Sequence, residues 1–267
     1  MIENGERVAS REDALVSGLI AAFLQEEGVA LYTQSALDTV VCEPNALHCQ
    51  IKNTQGHRSV LDASHLLLAT GRLPNTQFLG LESVGVVVDA RGFVDVNSQL
   101  ETTVPGLWAL GDMNKRGAFT HTSYHDYEIV RDNLRSSGTP RSADERVICY
   151  AMFTDPPLGR VGLNMAAAKQ EQEKTGRQFL VATHLMKHVS RAKEESETHG
   201  VIQFIVDALT EQFVGATVLG IQGDEIIQVI SNYMSTGASY RLMRNTLPVH
   251  PTVTEYFPTI LDKLKPL

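Results

Sequence analysis

Apolar positions near the start of the chain recur at helical spacing: Leu15, Val16, Leu19, Ile20, Phe23 and Leu24 place one stripe on a single helix. Ser10, with Asp13 three residues on as a shorter-armed acid, resembles a capping box at its start, and Gly28 supplies the stop. The period then shortens. Segments 29–33, 39–42, 46–52 and 64–70 read as strands, and Asn53-Thr54-Gln55-Gly56 as a turn between two of them. The run 64–69 is the most apolar of these and is expected to be a buried central strand.

A second block follows Pro74. Segments 85–88 and 92–96 predict short strands, and Thr103-Val104-Pro105-Gly106 turns the chain into a further strand at 107–110 that stops at Gly111-Asp112. A helix is expected over 122–134, with Tyr124, Tyr127 and Val130 on one face, and 136–144 reads as a polar linker. The third block, from about Val147, carries strand patterns at 149–153, 179–184, 201–206 and 213–219 and helical ones at 164–175 and 224–234. The expected fold is α/β in the first two blocks and α+β in the third.

Composition narrows the function. The chain's 267 residues are 43% hydrophobic and 20% charged, which excludes disorder, collagen and small disulfide scaffolds. With 23 Lys and Arg against 31 Asp and Glu, the net charge of −8 provides no electrostatic footprint for nucleic acid or an anionic membrane. The longest apolar stretch, 15–24, is broken by Ser17 and Gly18 and falls short of the roughly 18–20 residues of a spanning helix. No apolar signal core opens the chain, and three cysteines, an odd number, point to a reducing, cytoplasmic compartment. Met1-Ile2-Glu3-Asn4-Gly5 reads as the last residues of a strand, so the chain is expected to begin mid-domain.

Three motifs carry a resemblance: Ala69-Thr70-Gly71-Arg72-Leu73-Pro74-Asn75, Thr103-x-Pro105-Gly106-Leu107-Trp108-Ala109-Leu110-Gly111-Asp112, and His250-Pro251-Thr252-x-x-Glu255. In this order they resemble the class I pyridine nucleotide–disulfide oxidoreductases, the FAD family of glutathione reductase, lipoamide dehydrogenase and mercuric reductase, with the mercuric-reductase-like branch most similar. The resemblance covers essentially the whole chain. It implies incomplete FAD- and NAD(P)-binding Rossmann-like domains plus an α+β dimerisation domain, divided as 1–76 for NAD(P), 77–146 for FAD and 147–267 for the interface. The family's glycine-rich nucleotide motifs and Cys-x4-Cys redox pair have no match here; Cys42 and Cys49 are seven apart and Cys149 stands alone. A C-terminal portion, whose partners are a second copy and a missing N-terminal half, is therefore expected.

The resemblance assigns roles, each beside a plainer reading. Glu3 would accept hydrogen bonds from the adenosine ribose of NAD(P)H, favouring NADH, with Arg7 keeping NADPH open; it also reads as a surface Glu before a turn. Gly71 would let a nucleotide lie across the strand ends, or simply permit a change of direction. Arg72 is a phosphate or carboxylate partner, or an exposed linker residue. Asp112 would hold the ribityl chain of FAD, with Gly111 allowing close approach, or cap a turn. His121 opens a helix whose positive end would face the flavin. His250 and Glu255 resemble the family's acid–base pair, which acts across the dimer on the partner's flavin and disulfide, the carboxylate fixing the imidazole tautomer. The lone alternative for His250 is a loop histidine.

The implied activity is hydride transfer from NAD(P)H to FAD and on to a disulfide or small-molecule acceptor. The competing reading is a non-catalytic dimerising remnant without cofactor. The histidine pairs His121/His125 and His184/His188 have metal-ligand spacing but no completing ligand, and no G-x-S-x-G elbow or carboxylate pair supports hydrolysis. Lacking both phosphate-cradling loops, the chain is expected to be inactive alone and to expose apolar faces.

Overall fold

The computed structural model describes residues 1–135 and 138–267. The linker expected at 136–144 thus lies partly outside the described residues; its later part forms a turn at Ala143–Glu145, with Ala143 buried. Contacts divide the chain into two compact units, Met1–Leu67 with Val147–Leu267, and Leu68–Arg146.

The first unit opens on helix α1 (Ala14–Glu26), which buries Val16, Ser17, Ile20 and Phe23 and ends ahead of Gly28 at φ +89°. The capping box does not form. Asp13 occupies the N-cap position, but its carboxylate accepts from the backbone N–H groups of Met165 (3.0 Å) and Ala166 (3.1 Å), at the start of a helix far along the chain. There one carboxylate takes two orphan helix donors at once, where in a box it would take one. Segment 29–33 contributes a single parallel bridge, Tyr32 to Ile2. A three-stranded antiparallel meander follows: β1 (Ser35–Glu43), β2 (Ala46–Asn53) and β3 (Arg58–Ala63). The first pair closes directly at Glu43 and Ala46, and Asn53 turns the chain into β3 by accepting from the N–H groups of Gln55 and His57.

The expected central strand at 64–70 is absent. Its backbone pairs with no strand among the described residues, and Leu67 is 88% exposed. An apolar run becomes a strand only where neighbouring N–H and C=O rows meet it, and the meander ends at Ala63.

In the second unit, segments 85–88, 92–96 and 107–110 make isolated bridges (Val88 with Val94, Trp108 with Glu101) rather than ladders. Helix α2 (Thr120–Arg135) buries Thr122, Asp126, Ile129 and Val130. Tyr124 and Tyr127 are exposed, because the stripe that packs on Leu100 and Ala143 runs through Ile129 and Val130, one face over from the tyrosines.

The remainder of the first unit is an antiparallel six-stranded sheet in the order β4-β5-β8-β7-β6-β9, with β4 (Cys149–Met152), β5 (Leu158–Gly162), β6 (Phe179–Leu185), β7 (Val201–Asp207), β8 (Phe213–Leu219) and β9 (Lys265–Pro266). Every residue of β7 is buried, so it lacks the polar alternation of a half-solvated strand. Helix α3 (Met165–Thr175) follows β5, the short helix α4 (Ser190–Glu194) follows β6, and α5 (Gly223–Thr236) packs on β5 and β8. Gly159 permits that last contact, since a Cβ there would sit 2.2 Å from the Gly223 carbonyl oxygen. Two short helices, α6 (Tyr240–Asn245) and α7 (Phe257–Leu261), close the core, where Phe204 meets Phe257 and Phe213 edge to face. Helix α1 joins a second cluster with Leu158, Val201 and Leu219, which is how the chain's first residues become part of the C-terminal unit. Among the described residues no helix is long and apolar enough to cross a membrane.

Candidate functional site

In the second unit, two of the motifs come together although forty residues separate them. Arg72 Nη2 lies 2.7 Å from Asp112 Oδ2, and Arg72 Nη1 also reaches the Ala118 carbonyl at 3.4 Å. Asp112 sits in a single 3-10 turn, Gly111–Asn114, and its side chain is 38% exposed. Its Oδ1 has no protein partner among the described residues. Gly111 adopts φ +77°, the conformation that calls for glycine, and a Cβ there would stand 3.0 Å from Ser123 Oγ, a tight approach. Gly71 adopts φ +124°, with open space where a Cβ would lie. His121 is the second residue of α2, its ring stacked on Phe119 at 5.4 Å. The start of α2 is fixed by Thr122, whose hydroxyl donates to the Phe119 carbonyl (2.8 Å) and accepts from the Phe119 N–H (3.1 Å).

Sequence reasoning missed what holds this turn. Asp126, 1% exposed, accepts on Oδ2 from the Gly111 N–H and from Asn114 Nδ2, both at 2.8 Å, and its Oδ1 pairs with Arg146. Arg146 donates further to the Arg116 carbonyl and, through Nε, to His125 Nδ1 at 3.2 Å. His125 therefore lies between Arg146 and Arg141. No local pattern marks this network; the one signal was a charged residue, Asp126, at a helix position three before the buried Ile129.

Burial first, then the Arg146 and Arg141 charges, hold the His125 pKa below its ordinary 6.5. The folded state then binds fewer protons than the unfolded chain. Its contribution to stability is complete above the ordinary value and is lost as pH falls from there through the folded pKa. Thermal denaturation between about pH 7.5 and 5 is expected to show the second unit weakening, and His125→Gln to flatten that slope. His184 in the first unit shifts the same way, chiefly from burial, so the slope of the first unit is a separate measurement.

In the first unit, Glu3 follows the Ile2–Tyr32 bridge and its Oε1 accepts from the Gly5 N–H at 2.6 Å. A cavity of about 270 Å³ nearby is lined by Glu6, Arg7, Val8, Ser17 and Leu31 among others, and not by Glu3. At the other end of the chain, His250 Nδ1 lies 2.6 Å from Glu255 Oε2, and the His250–Pro251 bond is cis. Thr252 sets the turn: its hydroxyl donates to the Val249 carbonyl (2.6 Å) and accepts from the Glu255 N–H (3.2 Å), aiming the carboxylate back at the imidazole. Glu255 is 15% exposed at the side chain and His250 76%, so the carboxylate is anchored and the ring faces solvent. With Nδ1 held, Nε2 is the atom left to exchange a proton. His184 and His188 stand with ring centroids 6.0 Å apart, and the described residues contain no group of three or more ligands able to hold a metal. No disulfide joins Cys42, Cys49 and Cys149.

This arrangement matches known proteins along nearly its whole length. Residues 1–126 match the pyridine nucleotide-disulphide oxidoreductase family model, and residues 148–260 the dimerisation domain of the same family. The chain belongs to the pyridine nucleotide–disulfide oxidoreductases. It is 30% identical over 265 residues to the probable pyridine nucleotide-disulfide oxidoreductase RclA of Escherichia coli, covering 99% of this chain and 58% of that protein. It is also 30% identical over 248 residues to the mercuric reductase of Streptomyces lividans, covering 93% and 51%. The solved structure of the HOCl-induced flavoprotein disulfide reductase RclA from Escherichia coli superimposes with a TM-score of 0.88 at 31% identity, covering 99% of this chain and 59% of that one. The chain spans about half the length of the curated relatives it matches.

Proposed function

We propose that this chain supplies part of an FAD-dependent NAD(P)H oxidoreductase, passing hydride from NAD(P)H to flavin and on to a disulfide or another small-molecule acceptor. The observation that carries the reading is the Asp112 turn: a half-exposed carboxylate with one oxygen on Arg72 and the other open, beside a glycine and the start of α2. Those features fit a polyhydroxyl chain, since an open carboxylate oxygen accepts from a hydroxyl, and first-turn helix donors favour an anionic ring edge. Asp112 and Gly111 would hold FAD, and His121 would lie at the helix end facing it. Bound FAD would supply the two-electron acceptor that no side chain of the protein provides.

In the first unit Glu3 would serve NAD(P)H; in the second, Gly71 would leave room for a nucleotide. Oε2 of Glu3 has no partner among the described residues, so a ribose hydroxyl fits it, and NADH is the favoured donor. His250 would move a proton at Nε2 while Glu255 fixes the tautomer. The dimerisation-domain match supports a homodimer, in which this pair would act on the partner copy's acceptor. Residues beyond these, from a longer polypeptide or a separate one, would complete the nucleotide sites; 1–76 would form the NAD(P) part, 77–146 the FAD part and 147–267 the interface of a cytoplasmic protein.

A second reading, a dimerising module without cofactor, is favoured by one observation: segment 64–70 is unpaired and Leu67 exposed where a nucleotide sheet would bury them. Anaerobic mixing with NADH and NADPH separates the two. This chain is combined with a polypeptide carrying the glycine-rich and Cys-x4-Cys motifs and loaded with FAD. Bleaching of the flavin absorbance, faster with NADH, is expected; bound flavin that neither nucleotide bleaches would overturn the oxidoreductase reading.

A further inference from the structure

We propose that the buried Asp126–Arg146 pair is the positioning device of the Gly111–Asp112 turn, with Asp126 setting where the Asp112 carboxylate stands; its service to flavin rests on the reading above. One carboxylate oxygen of Asp126 takes both ends of the turn, the Gly111 N–H at its start and the Asn114 side chain at its finish. Asn114 closes the loop by donating to the Ala109 carbonyl (3.0 Å) and accepting from the Arg116 N–H (2.9 Å). Asp112 hangs between these two fixed points and takes no part in them. Its carboxylate turns instead to Arg72.

A buried carboxylate is retained at a cost unless a cation neutralises it, and Arg146, 7% exposed at its side chain, does so. An apolar residue at position 126 would pack beside Ile129 and Val130 without that requirement, but it would leave the Gly111 N–H and one of the two Asn114 amide hydrogens without an acceptor. The carboxylate thus serves the turn with one oxygen and Arg146 with the other. Asp126 touches the turn and not Asp112 itself, so its action on any ligand goes through the backbone.

Amide hydrogen exchange on the full chain tests the device directly. In Asp126→Ala/Arg146→Gln, which removes the acceptor and the cation together, the Gly111 amide is expected to exchange about tenfold faster, the equivalent of one lost hydrogen bond. The Ile129 and Val130 amides, in the interior of α2, should keep their rates. Should that variant unfold, Asp126→Asn/Arg146→Gln, which keeps one acceptor oxygen and leaves no buried charge unpaired, gives a smaller acceleration confined to the same amide. Gly111 exchange that stays unchanged, or that rises in step with Ile129, overturns the proposal.

A double-mutant cycle then reads the link to FAD, by fluorescence titration of Asp112→Ala, Asp126→Asn and the two combined. If Asp126 acts through Asp112, each single variant weakens FAD binding about tenfold and the combination is little worse than either. Full additivity overturns the positioning of Asp112. If the unaltered chain, combined with a polypeptide carrying the glycine-rich motifs, binds no FAD, the flavin reading is refuted, and the exchange result still decides the device.

Discussion

Glu12→Gln is expected to lower the unfolding free energy of the first unit by about 3–5 kcal/mol, the usual cost of removing one partner of a buried ion pair. Glu12 Oε2 lies 2.5 Å from Arg160 Nη2 and 3.2 Å from Nε, and both side chains are 3% exposed or less. Oε1 of the same carboxylate takes the hydroxyl of Tyr150, whose pKa is driven far above its ordinary value by burial first and then by the hydrogen bond to Glu12. The phenol is therefore a donor at any working pH. Glutamine would leave the Arg160 charge buried and unpaired and would offer a single acceptor oxygen to three donor atoms. Urea denaturation of the whole chain measures the loss. Glu12→Met/Arg160→Met, which removes both charges from the same space, should recover most of it. A single variant that unfolds at the same urea concentration as the unaltered protein would show that the pair contributes nothing net.

The second large effect concerns rate rather than stability. His250→Ala is expected to reduce turnover of the reconstituted, flavin-loaded enzyme by about 10²–10⁴-fold, the span of a general acid–base contribution. Its side chain is 76% exposed, so the change should alter unfolding by less than about 0.5 kcal/mol. That separation is what makes the variant informative. Glu255→Gln should lower turnover less, because the amide still holds Nδ1 while losing the charge that stabilises the imidazolium. Turnover that survives His250→Ala removes the catalytic assignment.

How much of this was readable in the sequence depends on how far apart the interacting residues lie. Helix α1 and the strands β6, β7 and β8 were legible because a core-facing element writes its period into consecutive residues. The His250–Glu255 contact was legible because proline and threonine between them leave one compact turn. Glu12 with Arg160, 148 residues apart, leaves no local signature, and neither does Asp13 capping α3 in place of its own helix. Asp126 was hidden for a related reason. A charge on a helix predicts a solvated face, and only its three partners explain its burial. The misread strand at 64–70 shows the converse. Apolar character suggests burial, yet the segment is exposed throughout, and strand structure needs neighbours that the described residues do not place beside it.

The central claim is that the Asp112 turn is a flavin contact. Fluorescence titration of FAD with the chain and with Asp112→Ala, each combined with the polypeptide carrying the glycine-rich motifs, tests it most directly, without requiring turnover. Saturable quenching by the unaltered chain is expected, with binding about tenfold weaker in the variant, the loss of one charge-assisted hydrogen bond. No saturable binding, or identical binding by both proteins, would contradict it.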